Sequence, residues 1–354
     1  MKKVLIVGPK KSQHIQKWFS ESDDLDLHLF TVDPGGSEFE PKVTEHTFRF
    51  INRSFSLLTC IPLFIYTWWK VRPDITNFHY LSSYGLLALF IPKKNLILNT
   101  WGSDVNKYYN RKNLHVWLIK KALRRFCWIN APAEHMKAKL ISLNVEPNLI
   151  DVYQYGVPEY NRKVPNQSGV VKFISNRNWS DLYRIEHVVD AFIYFVDNYG
   201  ANAKLYLYGG GGALMTKVES LLIQRPEIHD IIVVKGYTQH AVMLSEMKNM
   251  DIFVSVPRID GMPLSLLEAM EIGLYPVVSD IDANHEWIDN DTGTICTKVE
   301  NEKDLAESFH RAFRTVVNKS EDNNWESLNR NKVIERGRLK KNINKFRSKI
   351  ESLN

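Results

Sequence analysis

The chain alternates between short apolar runs and longer segments in which apolar residues recur every three or four positions. Runs of four or five mostly apolar residues, such as residues 4–7 and 252–256, predict buried strands. The longer segments, such as residues 304–317, predict helices. This rhythm recurs in both halves of the chain, and it is typical of α/β domains with parallel sheets. The sequence therefore predicts two α/β domains.

A polar stretch separates the two halves. Residues 161–169 contain Pro165 and few apolar side chains, which is typical of a linker. We expect an N-terminal domain at residues 1–160 and a C-terminal domain at residues 170–320. Residues 321–354 predict a basic helical tail. A length of 354 residues agrees with two domains.

Composition excludes several classes of protein. The 3 cysteines are widely spaced and odd in number, so they indicate neither a disulfide framework nor a zinc site, and they fit a reducing cytoplasm. The N-terminal apolar run is too short for a signal peptide. Residues 55–69, the most apolar stretch, are too few to span a membrane and include Pro62. We interpret the aromatic-rich segment 48–69 as a core helix, with a membrane-surface element as the alternative.

The most informative stretch is residues 251–286. It predicts a strand, a loop with glycine and proline, a short helix and a second strand. Asp260 lies in the loop, and Glu268 lies inside the helix. Ligands bind where such a loop meets a helix N-terminus, so both carboxylates are candidates for contacts with one ligand. The alternative is an ordinary turn before an amphipathic helix.

These residues carry a family resemblance. The stretch contains an acid followed by Gly-x-Pro, then Glu-Ala-Met and then Pro-Val-Val. This pattern resembles the E-x7-E signature of retaining nucleotide-sugar glycosyltransferases of family four. The resemblance implies the GT-B fold, an α/β architecture of two Rossmann-like domains with parallel sheets facing across a cleft. It implies that Glu268 holds the donor ribose and that Asp260 contacts hydroxyls of the transferred sugar. Asp260 replaces the usual Glu, which leaves the donor sugar open. The donor would also contact Gly261, Met262, Pro263 and Leu264.

Further donor-side residues follow from the same resemblance. Arg177 follows a predicted strand where relatives have an Arg that meets the donor diphosphate. Tyr183 stands where a Lys is usual, and Arg184 beside it is a candidate substitute. A run of four glycines, beginning with Gly209 and Gly210, lies between a predicted strand and a predicted helix. Such a run lets the backbone approach a phosphate or nucleotide, a flexible turn being the alternative.

The resemblance assigns the acceptor to the first domain. Gly8 ends the first predicted strand, where relatives have a glycine loop beside the donor phosphates and the acceptor, so Gly8 is also a candidate donor contact. No full G-x-G-x-x-G follows, which argues against a dinucleotide cofactor. Trp101 stands where many relatives have a His near the reaction centre. Asp104 is retained and is, with Asp260, a candidate catalytic residue. Its alternative role is to cap the following helix.

A basic run at Lys107–Arg125 is the strongest charge feature of the chain. No acid occurs between Asp104 and Glu134, and aromatic residues are interleaved with the cations. Cations mixed with Trp and Tyr are typical of a surface that meets anionic lipid head groups. A solvated helix face is the alternative. No nucleic-acid-binding motif accompanies the run, so we expect no nucleic-acid partner.

The resemblance implies a retaining glycosyltransferase that moves a sugar from a nucleotide-diphosphate donor to a glycan or lipid-linked acceptor, in the synthesis of a cell-surface polysaccharide. No His, Asp and Glu cluster has metal spacing, so we expect no metal or other cofactor. We expect a cytoplasmic protein, peripheral on the inner face of the membrane, whose final helix crosses back to the first domain. A non-catalytic GT-B subunit that binds a partner transferase is the alternative. The acid and histidine set of sugar-nucleotide epimerases is not found.

Overall fold

The computed structural model describes residues 1–20, 22–33, 42–48, 59–106, 114–318 and 324–353. The chain divides into two compact units. Unit 1 comprises residues 1–155 and 339–354, and unit 2 comprises residues 156–338. Each unit is an α/β unit with its own parallel sheet and its own buried core.

In unit 1 the described residues form a seven-stranded sheet in the order β3-β2-β1-β4-β5-β6-β7, with all neighbours parallel. The order reverses between β1 and β4, so the carboxyl ends of these two strands border a crevice. The strands are β1 (Lys3–Val7), β2 (Asp26–Thr31), β3 (Thr44–Thr47), β4 (Ile75–His79), β5 (Leu96–Asn99), β6 (Trp128–Ala131) and β7 (Ile150–Val152).

The helices of unit 1 cover both faces of this sheet. On one face Trp18 stacks on Phe346, with ring centroids 4.5 Å apart, so the C-terminal helix packs beside the first one. The helices are α1 (Gln13–Phe19), α2 (Ile61–Val71), α3 (Ser103–Asn106), α4 (Leu114–Leu123), α5 (Glu134–Ser142), two 3-10 helices (Tyr84–Phe90 and Pro147–Leu149) and the C-terminal helix (Leu339–Ser352).

In unit 2 the described residues form a six-stranded parallel sheet in the order β10-β9-β8-β11-β12-β13. The order reverses between β8 and β11, which defines a second crevice at their carboxyl ends. The strands are β8 (Val171–Ser175), β9 (Ala203–Tyr208), β10 (Ile232–Gly236), β11 (Ile252–Ser255), β12 (Tyr275–Ser279) and β13 (Thr294–Cys296).

The helices of unit 2 include one that is buried along almost its whole length, Leu264–Ile272. Its Glu271 is fully buried and lies 3.2 Å from Arg338 and 3.3 Å from Arg330, as a buried carboxylate requires. The helices are α6 (Ile185–Tyr199), α7 (Gly212–Gln224), α8 (His240–Met247), α9 (Leu264–Ile272), α10 (Asp282–His285), α11 (Glu302–Val317), α12 (Trp325–Arg336) and a 3-10 helix (Pro226–Asp230).

The unit boundaries differ from those expected from composition. The polar segment expected to be a linker belongs to unit 2, because backbone hydrogen bonds tie it there. Lys163 N–H donates to Ile272 O and Val164 N–H to Lys248 O, both at 2.8 Å. Helix α12, expected in the tail, also belongs to unit 2, whereas the C-terminal helix belongs to unit 1.

None of the described helices is long and apolar enough to cross a bilayer.

Candidate functional site

The crevice of unit 2 contains an ion pair. Arg177 follows β8 and Asp260 follows β11, so the two strands at the reversal of the sheet order bring the side chains together. Arg177 Nη2 donates to Asp260 Oδ2 at 2.8 Å, and the two side chains are only 11% and 16% exposed. The sequence separates the two residues by 83 positions, and the topology brings them together. A fixed cation therefore lies at the edge of the sheet where ligands of such folds bind.

The guanidinium of Arg177 is held on three sides. Its Nη1 donates to Ser265 Oγ at the start of α9, and its Cζ lies 4.3 Å from the ring centre of Tyr183. Its Nε is buried and has no hydrogen-bond partner among the described residues. Tyr183, in the position where relatives have a Lys, thus supports the guanidinium with its ring face. Two of the five N–H donors of this cation are used in these contacts.

The glycine run lies directly beside Arg177. Gly209 follows β9 with φ of +85°, and a Cβ on it would lie 2.8 Å from the carbonyl oxygen of Arg177. Only glycine fits both that conformation and that close approach. Helix α7 begins at Gly212 with no side-chain cap, so its first backbone N–H groups are not satisfied by a capping side chain. Gly210 lies between these two features, and its backbone is part of the same exposed loop.

Glu268 lies in α9 and is 7% exposed. Its Oε1 lies 2.8 Å from Nε2 of His240, the first residue of α8, whose side chain is 60% exposed. His240 could not be assigned to the site from the sequence, because its partner lies 28 positions away on another helix. The sequence feature that points to His240 is its position just after the loop that follows β10. The pair presents one carboxylate oxygen and one imidazole at the same edge of the sheet.

The loop from Gly261 to Leu264 connects the two acids. Asp260 Oδ1 accepts hydrogen bonds from the backbone N–H of Gly261 at 2.8 Å and of Met262 at 3.3 Å. Pro263 caps α9 without a side-chain hydrogen bond, and Leu264 begins the helix. The carboxylate of Asp260 is therefore fixed by its own loop on one oxygen and by Arg177 on the other.

Arg184 is not part of this group. Its guanidinium lies 2.8 Å from Glu300, whose carboxylate also accepts from Arg258 at 2.8 Å. Arg184 has φ of +53° and immediately precedes α6. Glu300 pairs with Arg184 as Asp260 pairs with Arg177, and the suggestion that Arg184 replaces the usual Lys at the diphosphate remains a prediction.

The crevice of unit 1 has a different character. Gly8 follows β1, and a Cβ there would lie 3.0 Å from Cβ of His79 at the end of β4. His79 is fully buried, and neither ring nitrogen has a hydrogen-bond partner among the described residues. His14 packs its ring 5.1 Å from that of Trp101. Burial lowers the pKa of His79 to about 3 and that of His14 to about 4, so both rings are neutral near pH 7.

Asp104 lies in α3 and is fully buried. One carboxylate oxygen accepts from Leu81 N–H at 2.7 Å, and the other accepts from Trp101 N–H at 3.0 Å and Gly102 N–H at 2.9 Å. Both carboxylate oxygens accept hydrogen bonds from backbone N–H groups, and the residue is not exposed to solvent. Asp104 therefore does not reach a substrate in this conformation. The geometry favours the structural role, in which its carboxylate fixes two loops, over a catalytic one.

The basic run is described only in part, since residues 107–113 lie outside the described residues. Lys121 and Arg124 are exposed, and Lys121 Nζ lies 3.8 Å from the ring centre of Trp117. Arg125 instead donates from Nε to Ala88 O at 3.2 Å and from Nη2 to Ile91 O, so it holds α4 against the neighbouring loop. Arg125 is thus structural, and the more exposed cations remain candidates for a surface role.

No group of three or more His, Cys, Asp or Glu side chains that could hold a metal ion occurs within the described part of the chain.

A cavity of about 570 Å³ in unit 2 is lined by residues that precede β8, β11 and β12, such as Asp251 and Gly273. It therefore lies at the amino-terminal edge of the sheet, opposite the edge that carries Arg177 and Asp260.

Two family models match the sequence. The model of glycosyl transferases group 1 matches residues 169–315, and the glycosyl transferase 4-like model matches residues 3–130. These two ranges fall in unit 2 and unit 1 respectively and cover most of the chain. No curated protein matches the sequence.

Solved structures match over the full length at low identity. HepE of Anabaena, in complex with UDP and glucose, is 14% identical with a TM-score of 0.77, and each chain is covered completely. Sucrose-phosphate synthase of Thermosynechococcus elongatus is 15% identical with a TM-score of 0.78, covering 100% of this chain and 99% of that one. The lipopolysaccharide outer core galactosyltransferase WaaB is 15% identical with a TM-score of 0.73, covering 99% of both chains.

The two parallel sheets and these structural relatives define the fold as GT-B. The chain belongs to the glycosyltransferases of the group 1, family-four-like type.

Proposed function

We propose that the protein transfers a sugar, with retention of anomeric configuration, from a nucleoside-diphosphate donor to an acceptor hydroxyl in glycan synthesis. The observation that carries the proposal is the Arg177–Asp260 pair at the crevice of unit 2, beside the glycine run and the start of α9. HepE is described in complex with UDP and with UDP-glucose, which supports a nucleotide sugar as the donor class.

The chemical problem is the negative charge that develops on the leaving diphosphate. Arg177 and the backbone N–H groups at the starts of α7 and α9 are fixed dipoles and charges that stabilise it. In the proposed reaction the bond from the anomeric carbon to the phosphate oxygen breaks. The acceptor oxygen bonds to that carbon on the same face, and the acceptor proton passes to a donor phosphate oxygen. The protein groups carry this charge without a bound metal ion.

Glu268 is the proposed ribose contact. Its carboxylate is nearly buried, and an imidazole holds one of its oxygens, so its orientation is fixed before a ligand arrives. Two ribose hydroxyls are donors that match a carboxylate. His240 then acts as a positioning residue for Glu268, and Asp260 contacts hydroxyls of the transferred sugar.

The test measures UDP binding and turnover of Glu268→Gln, which removes the charge and keeps the size. We expect UDP to bind more weakly by about 2–4 kcal/mol, roughly thirty- to several-hundred-fold, because a charged hydrogen-bond acceptor is lost. Glu219→Gln, an exposed acid on α7, is the matched control and should bind like the wild type. Melting temperatures establish that both variants fold.

Two outcomes contradict the proposal. Wild-type binding and turnover by Glu268→Gln would show that the ribose lies elsewhere. A wild-type protein that binds no nucleotide sugar in a thermal-shift panel would favour the non-catalytic subunit, since ligand binding to the folded state raises its melting temperature.

A further inference from the structure

Unit 1 exposes a group of large apolar side chains on one layer of helices. Two lie on α2, one ends the 3-10 helix at residues 84–90, and two lie on α4. Their exposed fractions are 63% for Tyr66, 59% for Trp69, 45% for Phe90, 73% for Leu114 and 51% for Trp117. Side chains of this size are normally covered, so a cluster of them indicates an interaction surface.

The topology places these elements on the same face of the sheet. The connections from β3 to β4, from β4 to β5 and from β5 to β6 all run in one direction across the sheet. Right-handed crossovers that run in one direction lie on one face. Both α2 and α4 pack against the 3-10 helix between them. The exposed residues therefore belong to one continuous outer surface, which we call the aromatic layer.

Helix α2 has two distinct faces. Phe64, Trp68 and Val71 are buried in the core of unit 1, whereas Tyr66 and Trp69 point outward. The core interpretation of segment 48–69 therefore holds for one face of α2 only, and residues 49–58 lie outside the described residues. The outward face needs a separate explanation.

Exposed cations border the aromatic layer on one side. They occur at the ends of the layer's segments, just before the next strand, and therefore at the amino-terminal edge of the sheet. The exposed ones are Lys70, Lys93, Lys94, Lys121 and Arg124. Between Asp74 and Glu134 the sequence has one acid, Asp104, which is buried. Asp74 itself accepts a hydrogen bond from Lys3 N–H at 2.8 Å.

We propose that the aromatic layer docks unit 1 on the head-group region of an anionic lipid bilayer. Trp and Tyr side chains settle at that depth, and exposed Lys and Arg attract the anionic surface. A second copy of the chain fits less well, because a two-fold contact would bring these cations together without an acid to neutralise them. The inference adds a partner surface to the proposed function, and vesicle binding does not depend on that function being right.

The experiment is vesicle flotation of the full-length protein with phosphatidylglycerol-containing and purely phosphatidylcholine vesicles. We expect binding to the anionic vesicles that weakens at high salt. Lys121→Gln with Arg124→Gln should weaken it about thirtyfold, since each cation near such a surface contributes a factor of about five. Trp69→Ser with Trp117→Ser should weaken it about tenfold and leave the salt dependence unchanged.

The controls remove similar groups from unit 2. Lys298→Gln with Lys303→Gln removes two exposed cations, and Tyr237→Ser removes an aromatic side chain that is 92% exposed. Both should bind vesicles like the wild type. Equal losses in these controls would show that total charge or apolarity matters rather than the aromatic layer, and would overturn the proposal.

Other outcomes are equally decisive. No flotation of the wild type at low salt overturns the proposal. A dimer in solution that Trp69→Ser with Trp117→Ser dissociates, without vesicle binding, assigns the layer to a second copy instead. UDP binding is measured in every variant, and Glu268→Gln should still float with vesicles. A failed donor site and a failed membrane surface therefore give different results.

Discussion

The two crevices of the protein share a topology and differ in chemistry. In unit 1 the sheet order reverses between β1 and β4, and in unit 2 between β8 and β11. The crevice of unit 2 has an Arg, two acids and an exposed glycine run. That of unit 1 has neutral imidazoles, aromatic rings and a buried Asp whose oxygens are occupied by backbone N–H groups. The same scaffold thus provides a charged edge in unit 2 and an edge with neutral imidazoles in unit 1.

This difference bears on the proposed reaction. An anionic diphosphate is stabilised by fixed positive groups, such as Arg177 in the unit 2 crevice. A neutral hydroxyl acceptor does not require a charge, and a neutral imidazole can donate or accept one hydrogen bond. Three substitutions test this difference between the crevices.

The largest effect is expected for Asp104→Ala in unit 1. The substitution leaves three buried backbone N–H groups, those of Leu81, Trp101 and Gly102, without an acceptor. We expect it to lower the free energy of unfolding by about 3–5 kcal/mol, measured by urea denaturation. Asp104→Asn keeps an acceptor oxygen and should lose less. A stable but inactive Asp104→Asn protein would instead support a catalytic role.

The second substitution, Arg177→Ala, tests the charged edge. It removes the cation and leaves Asp260 without its partner, so we expect UDP binding to weaken by about 2–4 kcal/mol in calorimetry. Tyr183→Phe keeps the supporting ring and should change binding little, whereas Tyr183→Ala should give an intermediate loss. Arg258→Ala, in the separate pair with Glu300, is the control. If Arg177→Ala binds UDP as the wild type does, the diphosphate lies elsewhere.

The fold class and the strand, loop and helix that carry Asp260 and Glu268 could be predicted from the sequence. The GT-B class was confirmed, because strand and helix periodicity and the Asp260–Glu268 spacing are local features. Contacts between distant segments were not predicted. His240 meets Glu268, 28 positions away, only because the fold brings α8 and α9 together. Tyr183 and Arg177 lie in the same loop after β8, and their contact depends on the conformation of that loop. The donor and acceptor roles of these residues remain predictions.

Unit 1 was harder to predict from the sequence. Its buried Asp104 and a catalytic Asp look alike in a sequence, since only the three N–H partners distinguish them. The exposure of Trp69 beside the buried Trp68 depends on which face of α2 packs on the sheet. The apolar content of such a segment does not determine that face.

The smallest expected effect concerns the neutral imidazoles of unit 1. The pKa of His79 falls to about 3 in the folded protein because of burial and the neighbouring His14, against an ordinary value of 6.5. Below pH 6.5 the unfolded chain therefore binds protons that the folded protein does not bind. The free energy of unfolding must decrease as the pH falls from 6.5 towards 3. Burial raises the pKa of Asp104 above its ordinary 3.8, so this carboxyl acts in the opposite direction between its folded pKa and 3.8, within the same pH window.

His79→Leu removes one of these groups and also a buried polar ring that has no hydrogen-bond partner among the described residues. We expect the variant to be as stable as the wild type or more stable at pH 7. At pH 5 it should be more stable by a further 1–2 kcal/mol, roughly, measured by urea unfolding at both values. His229→Leu, on the surface of unit 2, is the control and should leave the pH dependence unchanged. An unchanged difference between pH 7 and pH 5 in His79→Leu would mean that this ring is already protonated in the folded protein, and the neutral state assigned to it would be wrong.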